Sequence, residues 1–247
     1  MTLEGFFARA PRAAVAFSGG VDSAFLLWAA KRYGCDVRAY YVKTAFQPQF
    51  ELEDARRLCA QLGVELTVVE LDVLQIPGVA ENPPDRCYHC KRALFGRLRQ
   101  QAQADGYTVL IDGTNASDDA GDRPGMRALG ELSVRSPLRE CGISKAQVRA
   151  LSKEAGLFTW DKPAYACLAT RVPTGEAVTP ETLRKVEAAE EALFSLGYSD
   201  LRVRVFHGAA RLQLPGQQLE QAAKEREAIL QALSPWFDTV LLDLKER

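Results

Sequence analysis

The chain has 247 residues, room for one large domain or two smaller ones. Its 47% apolar and 26% charged content is that of a globular protein, and a formal net charge of −1 gives no bulk basic footprint for nucleic acid. No stretch approaches the length of a membrane span, and residues 1–10 carry Glu4 and no long apolar run, so neither a signal peptide nor a membrane partner is expected and a cytoplasmic location is.

In chain order, the apolar run Ala13-Ala14-Val15-Ala16-Phe17 reads as a buried parallel strand, and residues 24–30 as the first turns of a helix. Between them stands Ser18-Gly19-Gly20-Val21-Asp22-Ser23. A strand, a Gly-rich turn and a helix start make an anion site, because free backbone N–H groups and the helix dipole meet there. Gly19 and Gly20 let the backbone approach a ligand, Ser18 and Ser23 add hydroxyls, and Asp22 has the chemistry to hold magnesium. No Lys followed by Ser or Thr closes the turn, so this is not a Walker A loop. The motif resembles the PP-loop of ATP pyrophosphatases, a likeness that implies ATP binding, adenylation of a substrate oxygen and release of pyrophosphate.

Strands are expected at residues 37–42, 64–71 and 108–112, with helices at 51–62 (closed by Gly63), 91–104 and 144–155 (Ser144 as N-cap, Gly156 after the end). Strand–helix alternation implies an α/β fold, a parallel sheet with helices on both faces. Ligands lie beyond the carboxyl ends of such strands. That places Ser18, the Tyr41-Val42-Lys43 strand end, where backbone reads the edge of adenine, and Asp112-Gly113-Thr114-Asn115 around one site. Asp112 or Asp118 would assist Asp22 with magnesium.

The pattern changes near residue 172, where Val172-Pro173-Thr174-Gly175 reads as a linker. Residues 1–172 are expected to form the nucleotide domain and 173–247 a small α+β domain of αββαβ order. In that domain the helix at 179–196 has Thr179 as N-cap and Pro180 at N1. Strands follow at 201–207 and 210–214, a helix at 217–233 and a strand at 239–244.

Six cysteines in a chain of this class are reduced, metal-bound or catalytic rather than disulfide-bonded. Cys35, Cys59 and Cys141 read as small apolar residues. Cys87-Tyr88-His89-Cys90 reads as a loop in which two thiols three apart can chelate a metal or form a redox pair. Zinc would need two further ligands, and His89 is badly placed inside the pair. Cys167 is the other candidate. Arg86 and Lys91 flank the pair, where they either lower the thiol pKa or serve solubility. Arg171, four residues past Cys167, has the fork to orient a carboxylate or phosphate. Arg202 and Arg204 share one face of a strand, and by themselves read as a solvated face. Glu131, in a loop-like stretch, is a candidate for magnesium or substrate, and His207 reads as structural.

Taken together, residues 18–23, Arg86-Cys87-Tyr88-His89-Cys90-Lys91, Asp112-Gly113-Thr114-Asn115, Asp122-Arg123-Pro124-Gly125, residues 163–171 and Leu201-Arg202-Val203-Arg204 resemble the LarE family. That likeness spans nearly the whole chain. It implies a PP-loop sulfur transferase that adenylates a carboxylate of pyridinium-3,5-biscarboxylic acid mononucleotide with ATP and converts it to a thiocarboxylate, in the making of the nickel-pincer nucleotide cofactor of lactate racemase. It also implies a phosphate site at Arg202 and Arg204 and a ring-like homo-oligomer. Two sulfur sources occur in the family. A cysteine at the position of Cys167 gives up its own sulfur, or three cysteines hold a 4Fe–4S cluster carrying an extra sulfide. Cys87, Cys90 and Cys167 make this chain resemble the second type. Three thiolates leave one iron of a cubane without a protein ligand, an open position for hydrosulfide from a sulfur donor.

Other functions remain as competitors. A tRNA thiolation enzyme uses similar chemistry but usually carries an RNA-binding module or a basic face. Amide formation on an adenylate needs no cysteine triad, and a non-catalytic nucleotide- or iron–sulfur-binding regulator needs no intact PP-loop.

Overall fold

The computed structural model describes residues 1–118 and 124–247, and their contacts gather into two units. Unit 1 is Met1–Pro77 with Asp85–Lys162, and unit 2 is Gly78–Pro84 with Pro163–Arg247. Unit 1 opens with a helix that the sequence pattern did not signal, α1 (Leu3–Arg9). Thr2 caps it by accepting from the Gly5 N–H at 3.1 Å, and Leu3, Phe6 and Phe7 are buried.

Four strands, β1 (Arg12–Ala16), β2 (Asp36–Lys43), β3 (Leu66–Glu70) and β4 (Leu110–Asp112), pair in parallel in the order β3-β2-β1-β4. Successive residues of a strand face opposite ways. Accordingly Ala13 and Val15 enter one core with α2 (Val21–Arg32) and α3 (Gln49–Leu62), while Ala14 enters another with Leu98 and Ala102 of α4 (Arg86–Ala104). Ala39 and Tyr41 of β2 join the first core and Tyr40 the second. Helices therefore cover both faces, as the alternation of elements predicts. Unit 1 is completed by α5 (Pro124–Glu131), α6 (Pro137–Glu140) and α7 (Lys145–Glu154), whose N-cap Ser144 forms a capping box with Gln147.

The chain winds from β1 out to β3, then returns to place β4 on the other side of β1. The gap between the carboxyl ends of β1 and β4 is thus the topological switch point, where such sheets bind ligands.

In unit 2, β5 (Arg202–Phe206) and β6 (Ala209–Gln213) form a hairpin, and β7 (Val240–Leu242) pairs in parallel with β6. His207 and Gly208 form the hairpin turn with φ of 49° and 83°, positive at both central positions, as a tight turn between twisted strands requires. Leu183, Val186, Ala189 and Leu193 of α8 (Pro180–Ser195) are buried, as are Val203 and Leu212 of the sheet. The expected helix at 217–233 is two, α9 (Gly216–Lys224) and α10 (Arg226–Leu233). They break at Glu225, whose carboxylate accepts from the Tyr198 hydroxyl at 2.7 Å and from Gln221.

Two further expectations differ. The Cys-x-x-Cys sequence does not lie in a loop: α4 begins at Arg86, directly after Asp85 and the two prolines. Contacts also group residues 163–172 with unit 2, although the sequence boundary falls at 172, because Arg171 is bound to Glu190 of α8. Unit 2 additionally takes in the strap Gly78–Pro84. There Asn82, at φ 56°, donates from Nδ2 to the Pro173 carbonyl at 2.8 Å, and its own carbonyl accepts from the Gly175 N–H at 2.9 Å. Among the described residues, no helix is long and apolar enough to cross a membrane.

Candidate functional site

At the switch point of unit 1 the Gly-rich turn joins β1 to α2. Gly19 has φ 73°, and a Cβ built there would stand 3.1 Å from the Glu51 carbonyl oxygen, so α3 leaves no room for a side chain. Gly20 is the N-cap of α2, with no side-chain cap bond, so no cap side chain occupies the start of the helix. Ser23 is buried; its hydroxyl donates to the Gly20 carbonyl at 3.1 Å and lies 3.1 Å from the Ser18 hydroxyl. Ser18 is exposed. Ser23 therefore shapes the turn, and Ser18 faces the ligand side.

The loop after β4 forms the opposite wall. A Cβ on Gly113 would fall 2.8 Å from the Ser23 backbone nitrogen and 3.1 Å from the Asp22 carbonyl carbon. This close approach is what requires a glycine there. Asp112 is buried and accepts from the Thr114 N–H, the Thr114 hydroxyl at 2.7 Å and the Ser136 hydroxyl at 2.7 Å. Asp118 accepts from the Asn115 N–H at 2.9 Å. Both carboxylates hold the loop in shape, and Thr114 is tied to Asp112 within it. Asp22, by contrast, is reached by the Asn115 amide at 3.2 Å and by the ammonium of Lys145. Neither Lys145 nor Asn115's bond to Asp22 was legible in the sequence. Asp22 presents a hard oxygen donor at the anion loop, as magnesium demands.

At the end of β2, Val42 packs partly into the α4 core. Lys43 donates to the Gln47 carbonyl at 2.6 Å, and its own carbonyl accepts from the Leu71 N–H at 3.1 Å.

On the first turn of α4, Cys87 is exposed and Cys90 buried. Residues three apart on a helix are neighbours on one face, so the pair fits two corners of a thiolate-bound cluster. Arg86 is buried and its guanidinium lies 3.7 Å from the Cys87 sulfur. Tyr88 donates to Glu131 at 2.8 Å, and the Arg127 guanidinium lies 3.9 Å from the centre of the Tyr88 ring. Glu131 is thus the last residue of α5, not of a loop, and it stands beside the cysteine-bearing turn. His89 pairs with Asp85 at 3.1 Å. Asp122 and Arg123 lie outside the described residues. Among the described residues, no three His, Cys, Asp or Glu side chains gather as a metal site.

In unit 2, Cys167 is half-buried at the head of a 3-10 turn, Leu168–Arg171. Its carbonyl accepts from the Thr170 N–H at 3.0 Å and from the Thr170 hydroxyl at 2.8 Å. Arg171 does not reach out to a ligand. Its side chain is 0% exposed and its fork grips Glu190 at 2.8 and 2.9 Å, while Nη1 donates to the carbonyls of Ala166 at 2.7 Å and Cys167 at 3.2 Å. The sequence could not show that α8 buries a carboxylate opposite it. Glu190 also accepts from the Tyr165 hydroxyl and, at 2.9 Å, from the Val203 N–H.

Arg202 and Arg204 do not form a solvated face either. Arg202 is buried and donates to the Leu201 and Ala164 carbonyls at 2.7 and 2.6 Å; Arg204 donates to the Thr170 carbonyl and to Gln213. Burial, then repulsion from Arg171, pushes the Arg202 pKa down to about 10. Three arginines thus clasp the backbone on either side of Cys167 and concentrate positive charge there.

Cys35 and Cys59 are buried, and burial raises their thiol pKa from 9.0 to about 11 and about 12. Such thiols are inert at neutral pH. Cys141 is half-buried, and burial raises its pKa as well.

Comparison with known proteins gives this geometry a setting. The family described as queuosine biosynthesis protein QueC matches residues 12–80. The chain is 40% identical over 226 residues to the uncharacterized protein slr1717 of Synechocystis sp., covering 90% of this chain and 84% of that protein. It is 36% identical over 206 residues to the pyridinium-3,5-bisthiocarboxylic acid mononucleotide synthase of Lactiplantibacillus plantarum, covering 83% of this chain and 75% of that protein. A probable tRNA sulfurtransferase of Thermoanaerobacter pseudethanolicus is 24% identical over 204 residues and is covered over 54% of its length.

Proposed function

The chain belongs to the LarE family of PP-loop sulfur transferases, and from that membership we propose that it adenylates a carboxylate of pyridinium-3,5-biscarboxylic acid mononucleotide with ATP and replaces the activated oxygen with sulfur. The observation that carries this reading is the anion loop: a glycine-rich turn and a helix start without a side-chain cap at the switch point, with Asp22 held on its rim. Unit 1 serves as the nucleotide domain and unit 2 as a substrate and oligomerisation domain.

ATP binds with its triphosphate on Ser18, Gly19, Gly20 and Ser23 and against Gly113 and Thr114, its adenine toward Val42 and Lys43. Asp22 is the residue that would hold magnesium. The substrate carboxylate attacks the α-phosphorus and pyrophosphate departs; alignment and charge neutralisation are the protein's main work there. The product is an acyl adenylate. A sulfur nucleophile attacks its carbonyl carbon and AMP leaves with the bonding pair. Arg202 and Arg204 hold the Ala164 and Thr170 carbonyls on either side of Cys167 and put positive charge beside it, and Glu131 braces the cysteine-bearing turn through Tyr88. Arg171 acts through the backbone of Cys167, which it holds in place.

Cys87, Cys90 and Cys167 would hold a 4Fe–4S cluster, which supplies an iron without a protein ligand as the seat for a transferable sulfide. Soft thiolates, two of them one helical turn apart, support that reading. Sulfur donation from Cys167 itself is the rival within the family. Anaerobic purification with iron and sulfide analysis, a visible spectrum and a pyrophosphate-release assay tests both. Near-stoichiometric cluster with repeated turnover is expected. A protein without iron whose mass falls by one H₂S after a single turnover would establish the sacrificial route instead. Thiolation of tRNA in place of the mononucleotide would refute the substrate assignment.

A further inference from the structure

Residues 18–23 contain no lysine or arginine, yet a triphosphate needs a cation that the backbone of an anion loop does not supply. One arrives from 123 positions away: the Lys145 ammonium donates to Asp22 Oδ2. Its place is fixed several times over. The Lys145 N–H donates to the Ser117 hydroxyl at 3.0 Å, and the Ser117 N–H donates to Asn115 Oδ1 at 2.8 Å. Asn115 Nδ2 donates to the other oxygen of Asp22 at 3.2 Å, closing a ring of contacts from carboxylate to ammonium. Ser144 and Gln147 lock the turn that carries Lys145 by a capping box. Both side chains are partly shielded, at 34% and 22% exposure, so the pair is not a loose surface contact.

The electrostatics explain why such a pair would sit here. Asp22 puts a negative charge at the mouth of a site built for anions, and an uncompensated carboxylate there would repel a nucleotide. We propose that Lys145 is the phosphate-binding cation of the ATP site. Without nucleotide it neutralises Asp22; with nucleotide its ammonium donates to a phosphate oxygen, and Asp22 becomes available to the magnesium that accompanies ATP. A long flexible stem and three donors suit such an exchange between two oxyanions. This inference rests on the reading that the chain uses ATP.

The test is calorimetric titration of ATP with magnesium, and separately of inorganic pyrophosphate, into the intact protein and its Lys145→Met and Lys145→Arg variants, with a thermal melt of each. Loss of one charge-assisted hydrogen bond predicts ATP binding weakened about tenfold or more in Lys145→Met, a parallel loss for pyrophosphate, and much of both restored in Lys145→Arg. The melting temperatures should stay close together. ATP binding by Lys145→Met within about twofold of the parent would overturn the proposal. So would equal losses in both variants accompanied by a large drop in melting temperature, the signature of a purely structural pair. A parent protein that binds neither ligand refutes the ATP reading itself, and the proposal falls with it.

Discussion

Removing the guanidinium of Arg171 while leaving its length, as in Arg171→Met, strands Glu190 in the interior of unit 2. Glu190 is 1% exposed and, among the described residues, keeps the Tyr165 hydroxyl and the Val203 N–H as donors. Breaking a buried pair from one side costs about 3–5 kcal/mol, because the surviving charge has lost its ion-pair partner and gains no water. Spread over a urea slope of about 2 kcal/mol per molar, the midpoint should fall by about 2 M. Glu190→Gln should be damaging for the same reason with the signs reversed, since Arg171, Arg202 and Arg204 would then face one another without a carboxylate. The double variant removes both charges and should cost clearly less than the two singles added, with a coupling of about 2–3 kcal/mol. Urea unfolding followed by circular dichroism measures all four proteins. Single variants that shift the midpoint by less than about 0.5 M, or costs that simply add, would refute the idea that this pair organises the Cys167 segment.

Further outcomes follow from the same contacts. Gly113→Ala forces a Cβ onto the Ser23 and Asp22 backbone at 2.8–3.1 Å; with no side chain able to rotate away, a loss of about 1–3 kcal/mol and weakened ATP binding are expected by denaturation and titration. Because burial raises the Cys59 pKa from 9.0 to about 12, its stability contribution is complete below pH 9 and is lost as pH rises toward 12; urea unfolding at pH 8 and 10.5 should show a smaller alkaline loss in Cys59→Ala than in the parent. In native protein freed of any cluster, iodoacetamide at pH 8 should label exposed Cys87 far ahead of Cys35 and Cys59, as peptide mass mapping reads. Asn82→Val places a β-branched residue at φ 56° and removes the amide that reaches Pro173, so a loss of about 2 kcal/mol or more is expected from strain and lost bonds together.

The anion loop was legible because everything it needs is contiguous: a strand, two glycines, a helix start. The parallel sheet was legible from alternation of elements, and the caps of α7 and α8 from Ser144, Thr179 and Pro180. What stayed hidden was pairing across distance. Glu190 stands next to exposed Glu191 on an amphipathic helix and reads like it; only the packing of α8 on β5 decides that it is buried. Lys145 looks like any first-turn residue of a capped helix until β4 and α7 bring it to Asp22. The break between α9 and α10 has no Gly or Pro to announce it, since a tyrosine hydroxyl from elsewhere marks the site. Arg202 and Arg204 alternate as a surface strand would, and lose their water to a segment nearly forty residues earlier in the case of Arg202.

The strap at Gly78–Pro84 has a consequence for biogenesis. During synthesis it leaves the ribosome some ninety residues before the stretch that clasps Asn82, which is bonded across a separation of 91 positions. A nascent chain that has reached Lys162 carries every strand of the first sheet but still dangles those seven residues, and with them the covalent lead into the helix bearing Cys87 and Cys90. Metal-loading machinery or an oxidant meeting that half-made polypeptide would find the two thiols before Cys167 has been translated. A sulfur centre that also drew on Cys167 would have to wait until that residue had been made.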